Sequence, residues 1–326
     1  MVTTRNDAPL VPVTGTRKGG QLGISAGSLA SIEVLDACVD LGVGWVRVSH
    51  EYGWGGTIDA LAKTVVAAKA RGLKVIQCVQ IMGKKYNDPV KNEGFHQFAA
   101  DCAATGVTAL EVGNEWNHNA FWLAPPYNVM PPAAQANLSA SVAKHVRDRY
   151  PTLPIITNGL SPEASTQNPY LWLPPFWDVN LSAHKAAGWS GIGLHPYCYP
   201  ELATKNPEIW NPMLQIPKIL TDSRARGIDI NVWLTEFGAP GFATNAPVIR
   251  GVALTEQRQV DCFNAYFSII TRNYSFGMKH PCMAIATMFD GQSATNSVEQ
   301  GLGLRRADRS KKPVWYTVRD YANTLW

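Results

Sequence analysis

The chain has 326 residues, 46% of them hydrophobic and 17% charged, enough for one sizeable core and too apolar for a disordered or coiled-coil chain. The formal net charge of +4 comes from 29 Lys and Arg against 25 Asp and Glu, a small excess without the basic stripe that nucleic-acid binding needs. The densest basic run, Arg305-Arg306-Ala307-Asp308-Arg309-Ser310-Lys311-Lys312, reads as a solvated loop, and no nucleic-acid partner is expected.

The first nine residues lack the apolar stretch of a signal peptide, which leaves a cytoplasmic, virion-associated or otherwise exported chain open. No run of 18 apolar residues follows, so no membrane span is expected. Residues 1–21 read as an N-terminal extension and 22–326 as one catalytic domain. From there, short β-branched runs alternate with amphipathic stretches. A strand over 22–25 leads to a helix over 28–41, with Ser28 as its N-cap and Gly42 after it. A strand over 45–49 precedes a helix over 58–71 that stops before Gly72, and a strand over 74–79 precedes a helix over 94–104 that stops before Gly106. The strand over 109–113 is separated from the helix over 133–149 by a loop stiffened at Pro125-Pro126 and Pro131-Pro132. Strands over 155–158 and 191–195 come next, then a helix over 211–226, a strand over 231–235, a helix over 256–273, a strand over 283–288 and a helix over 314–324.

Eight such strands, apolar throughout rather than alternating, are what a parallel sheet covered on both faces requires. In about 300 residues they predict a single (β/α)₈ TIM barrel. No GxGxxG follows any of them, so no dinucleotide site and no cofactor is expected. The six cysteines, at 38, 78, 102, 198, 262 and 282, form no CxxC pair; they read as small buried hydrophobes, and no metal is expected.

In such a barrel chemistry sits where the strands end. Strand 4 ends in Asn114-Glu115-Trp116 and strand 7 in Glu236-Phe237-Gly238, which puts two glutamates across the barrel mouth from each other. Hydrolysis of a glycosidic bond with retention needs two carboxyl groups about 5–5.5 Å apart, one protonated to release the leaving oxygen and one ionised to attack carbon. Glu111 lies lower in strand 4 and reads as structural. His50 and Trp54 after strand 2, Gln80 ending strand 3 and Asn158 ending strand 5 are candidate sugar contacts, with a plain loop or strand-end role as the alternative. His118 lacks partners for a metal site.

The chain resembles the retaining glycoside hydrolases of the (β/α)₈ 4/7 superfamily, also called clan A, close to its cellulase-like and xylosidase-like families. The resemblance rests on Asn114-Glu115 after strand 4, Thr235-Glu236-Phe237-Gly238 after strand 7, Val46-Arg47-Val48-Ser49 in strand 2 and Gly193-Leu194-His195-Pro196-Tyr197 in strand 6. It implies Glu115 as general acid/base, Glu236 as nucleophile, Arg47 as the cation beside the nucleophile, and His195 and Tyr197 as the element that orients it. Asn114 would meet the sugar 2-hydroxyl. The clan usually places a Trp at the end of strand 8; this chain has Met288-Phe289-Asp290 there, so Phe289 is the candidate sugar floor.

Aromatics follow three consecutive strands: Trp116, Phe121, Trp122 and Tyr127; then Tyr170, Trp172, Phe176 and Trp177; then Tyr197, Tyr199 and Trp210. Flat rings stack on the apolar faces of sugars, so the cluster, with Trp116, Trp122 and Trp172 as contacts, predicts a groove and endo action on a cell-wall or other polysaccharide. Loop packing is the competing account. The alternatives in function are a non-catalytic carbohydrate-binding barrel, which needs the aromatics but not both glutamates, and a transglycosylase, which uses a sugar hydroxyl in place of water.

Overall fold

The computed structural model describes residues 19–53, 57–81, 89–118, 132–162, 169–204, 211–275, 280–291 and 298–324. Its strands are β1 (Gly19–Ser25), β2 (Val43–Glu51), β3 (Lys74–Gln80), β4 (Ala109–Asn114), β5 (Ile155–Gly159), β6 (Gly191–Leu194), β7 (Asn231–Phe237), a two-stranded ribbon of β8 (Val248–Ile249) and β9 (Val252–Ala253), and β10 (Met283–Ala286). All but the ribbon join in a closed parallel barrel in the order β1-β10-β7-β6-β5-β4-β3-β2. The helices are α1 (Ile32–Leu41), α2 (Ile58–Ala70), α3 (Pro89–Ala104), α4 (Pro132–Arg147), α5 (Pro169–Val179), α6 (Leu181–Ala187), α7 (Pro212–Ala225), α8 (Glu256–Ser275) and α9 (Pro313–Thr324). The chain is thus a single (β/α)₈ barrel.

Strand alternation divides the core in two. Trp45, Ile76, Ala109, Ile156, Trp233, Cys282 and Ala284 form a cluster of their own in the barrel interior, where Trp45 and Trp233 meet edge to face at 5.8 Å. Gly191 on β6 leaves room for them, since a Cβ there would overlap the Trp233 ring. Their outward-facing neighbours, such as Val46, Val48, Val75 and Val79, pack against the helices in the larger cluster. A side chain's parity along its strand therefore decides whether it faces the interior column or the helical layer.

Several boundaries differ from expectation for local reasons. α1 begins at Ile32, because Ser31 rather than Ser28 accepts a hydrogen bond from the Val34 amide; Gly42 ends it in the left-handed conformation at φ 87°. β1 starts at Gly19 and pairs with Val43 of β2, so the barrel takes in residues 19–21. Between β5 and β6 the aromatic-rich stretch forms α5 and α6. β10 ends at Ala286, two residues before the expected limit.

The basic run after β10 is paired along its length. Arg305 and Lys311 meet Asp40, Arg306 meets Glu256, and Arg309 meets Glu33. Lys312 is fully buried. Its three ammonium hydrogens have three acceptors, the carbonyls of Gly241 (2.7 Å) and Gly301 (2.9 Å) and the carboxylate of Asp290 (2.7 Å), which offsets the cost of burying the charge. The six cysteines are buried and free, and no described helix is long and apolar enough to cross a membrane.

Candidate active site

Arg47 is the hub of the barrel mouth. It lies on the interior face of β2, two residues above Trp45, and is 2% exposed. Its Nε donates to Glu111 (2.6 Å), its Nη1 to Ser25 (3.3 Å) and Glu236 (3.1 Å), and its Nη2 to the side-chain oxygen of Asn114 (2.7 Å). Burial alone would disfavour the cation, but Glu111 and Glu236 more than offset it and hold the guanidinium protonated. Glu111 is fully buried and serves as the structural counter-ion. The next inward position on β6 is Gly193, where a Cβ would fall 2.8 Å from Glu111 Oε1.

Simple alternation on β4 would turn Asn114 away from Glu111. Gly113 breaks it: its φ of 99° is a backbone conformation that suits glycine. Asn114 then reaches Arg47, and Glu115 follows with φ 48°, an uncommon conformation for a residue with a side chain. The Glu115 amide is held by the Gly159 carbonyl at 2.8 Å.

The two glutamates have different partners. Glu236, near the top of β7, accepts from Arg47 on one oxygen and from the Tyr197 hydroxyl on the other at 2.5 Å. Glu115 pairs through Oε1 with His195 Nδ1 at 2.7 Å. Burial raises the Glu115 carboxyl to about 7; His118 and Arg47 pull it down, while Glu299 and Glu111 push it up. Burial lowers His195 to about 4, so the imidazole is neutral near pH 7. With its hydrogen on Nδ1, His195 donates to Glu115 Oε1 and leaves Oε2 for a transferable proton. The His-x-Tyr element thus divides its work, with Tyr197 on Glu236 and His195 on Glu115. The Tyr197 amide also donates to the His195 carbonyl at 2.9 Å, closing a three-residue turn around Pro196.

Glu115 and Glu236 line one cavity of about 370 Å³ together with His118, Ser161, Pro162, Tyr197, Tyr199, Glu299 and Leu302. Reciprocal bonds of 3.0 Å between the Asn117 amide and the backbone of Ser161 tie the loops after β4 and β5 together. The Ser161 hydroxyl is buried with no hydrogen-bond partner among the described residues. No group of three His, Cys, Asp or Glu suited to hold a metal occurs among the described residues.

Arg47, Asn114, Glu115, His195, Tyr197 and Glu236, expected from four different strands, form one connected network. His50 shares the outward parity of Val46 and Val48 and hydrogen-bonds Gln77 at 3.1 Å beneath the helices; burial lowers its pKa. Gln80 ends β3 half-buried, with its carbonyl accepting from the Tyr52 amide. Asn158 is fully buried, with its Cβ 2.7 Å from the position a Gly113 Cβ would take. Trp116 is 1% exposed, too deep to stack on a sugar. Trp172 is equally buried and stacks on Phe176 at 4.7 Å within the helical layer. Phe289 packs on the core beneath the Arg309 guanidinium, 4.1 Å from it. Trp54 and Trp122 lie outside the described residues, as do Phe121, Tyr127 and Trp210. Residue patterning had not pointed to Ser161, Glu299 or Leu302. Ser161 directly follows the β5 region, the one signal that could have found it.

No protein-family model matches the sequence, and no curated protein matches it. Solved structures share the architecture. A family 39 glycoside hydrolase from the gut symbiont Bacteroides cellulosilyticus WH2 superposes with a TM-score of 0.67 at 16% identity, covering 94% of this chain and 65% of that one. A β-D-glucuronidase for Dictyoglomus thermophilum gives 0.59 at 15% identity over 93% and 50%. A GH5_18 protein from Streptomyces cattleya, in complex with GlcNAc, gives 0.65 at 16% identity over 95% and 82%. The chain therefore spans 65% of the first of these proteins and half of the second. At such identities the likeness establishes the (β/α)₈ fold that these proteins have in common.

Proposed function

We propose that the chain is a retaining O-glycoside hydrolase with Glu115 as general acid/base and Glu236 as nucleophile. One observation carries the reading: two carboxylates at the ends of β4 and β7 share a cavity, yet one is held by a buried neutral imidazole and the other by a guanidinium and a phenol. Environments that separate two carboxyl groups in this way mark an acid and a nucleophile. In the first step a Glu236 oxygen attacks the anomeric carbon as the glycosidic C–O bond breaks, and the Glu115 proton goes to the departing oxygen. Glu236 is then an ester and its charge is gone. Glu115, now ionised, takes a proton from water, whose oxygen attacks the same carbon and frees Glu236. Asn114, whose side-chain oxygen faces Arg47, has its amide nitrogen for the sugar 2-hydroxyl.

A carbohydrate-binding barrel without catalysis would have no need of two carboxylates that share one cavity with such different partners, which supports turnover. Transglycosylation shares the first step and differs only in the acceptor. Endo action on a polysaccharide is the mode we assign, with Tyr197 and Tyr199 as the described aromatics at the cavity. Proton NMR of the first product tests the mechanism: it should keep the substrate's anomeric configuration, and initial inversion would overturn it. Chromatography of early products tests the mode, since release of monosaccharide alone from a long polymer would exclude endo cleavage.

A further inference from the structure

Glu299 lines the same cavity as Glu115 and Glu236, although it comes from a different part of the barrel and has no role in the double displacement. It stands on a 3₁₀ turn, Val298–Gly301, that is fixed from several sides. The Gly241 amide and the buried Lys312 ammonium both donate to the Gly301 carbonyl, and Gly291 donates to that of Gln300. A Cβ on Gly301 would come within 2.5 Å of the Phe242 ring, so the turn fits closely against the loop after β7. The carboxylate is therefore carried on a braced part of the cavity wall.

The charge balance of that wall is one-sided. Among the described lining residues Glu115, Glu236 and Glu299 are acidic, and His118 alone can carry positive charge. Arg47 cannot serve a ligand, because it is buried and already makes four hydrogen bonds to Glu111, Ser25, Glu236 and Asn114. The cavity holds about 370 Å³, so charges on its wall lie at distances comparable with the ~8–10 Å over which salt screens exposed charges. An anionic substituent on a bound sugar would share the cavity with Glu236 and with the exposed carboxylate of Glu299. Neutral hydroxyls meet the opposite situation, since a carboxylate can accept a hydrogen bond on each of its two oxygens.

We infer that Glu299 is a specificity-determining residue that binds the hydroxyls of a neutral sugar and excludes uronic acids. This rests on the glycosidase reading and narrows its substrate class. It also separates the chain from the glucuronidase with which it shares a fold.

The test uses matched aryl glycosides of both anomers, neutral hexosides and pentosides against the corresponding uronides, with wild type, Glu236→Ala, Glu299→Gln and Glu299→Lys. Like charges brought together cost enough that wild type should favour the neutral sugar by ~100-fold or more in kcat/KM. Glu299→Gln should narrow that gap at least tenfold, through the KM for uronide, and Glu299→Lys should narrow it further, with Tm values reported for each variant. A wild type that cleaves uronides as well as neutral glycosides overturns the inference and leaves the glycosidase reading standing. So does a gap that both Glu299 variants leave unchanged. If wild type and Glu236→Ala act alike on every glycoside, the glycosidase reading falls and the inference falls with it.

Discussion

Replacing Glu115 with Gln should make the protein more stable at alkaline pH while removing its acid. The folded protein holds this carboxyl at about 7 against an ordinary 4.5, mainly because it is buried. Folding therefore favours the protonated form. Below 4.5 the group costs nothing; as pH rises through about 7 its ionisation is penalised in the folded state only, and stability is lost. The gap is about 2.5 pH units, at ~1.4 kcal/mol for each, so the ionised form costs roughly 3 kcal/mol. That is a ceiling, because the side chain is 14% exposed and water reaches part of it. Gln is neutral at every pH and keeps an oxygen for the His195 Nδ1–H. Unfolding entropy of about 2.1 cal/mol/K per residue makes 1 kcal/mol worth roughly 1.5 °C in a chain this long. Thermal melts should then place Glu115→Gln about 4 °C above wild type at pH 8 and level with it at pH 4. An equal offset at both values, or a less stable variant at pH 8, would refute the argument that burial sets the proton affinity of Glu115.

Glu236→Ala should lose at least a thousandfold in turnover, and added azide should restore part of it by attacking the carbon face that the carboxylate leaves open; activity within tenfold of wild type would remove Glu236 from the mechanism. The first step needs Glu115 protonated, so kcat/KM for a substrate with a poor leaving group should hold below pH 7 and fall as pH passes about 7, as a rate profile from pH 5 to 9 would reveal. Gly159→Ala should act at a distance: its Cβ would overlap His195 Nε2, pushing the ring off Glu115. Such overpacking costs about 1–3 kcal/mol. The rate loss, about tenfold or more, should be larger for alkyl than for activated aryl glycosides; equal losses on both would indicate general disruption of the barrel.

The barrel was legible in the sequence because a strand covered on both faces must be apolar along its whole length. Glu115, Glu236, Arg47, Asn114, His195 and Tyr197 could be singled out because each stands in or just past such a run, and the structure brings their side chains together. Other described candidates sit apart from that network for identifiable reasons. Parity along β2 puts Arg47 with Trp45 inside the barrel and His50 with Val48 outside it, and that pattern was there to be read. Trp172, Phe176 and Trp177 fall at helical i, i+4, i+5 spacing, the mark of a buried helical stripe; aromatic richness alone does not distinguish it from a sugar groove. Glu299 had no local signal, because a turn after β10 brings it to the cavity and Lys312, a residue of the basic run, helps to brace that turn.

The turn at His195-Pro196-Tyr197 has a mechanical consequence. One short segment holds both carboxylates, and the spacing of its two anchors is set by a hydrogen bond across a single residue. That residue is proline, whose ring fixes φ near −65°, close to what the centre of such a turn requires. The two anchors are therefore tied to each other through the turn as well as to Glu115 and Glu236 on the neighbouring strands. A change in that turn would therefore be felt by both carboxyl groups at once, rather than by one of them alone.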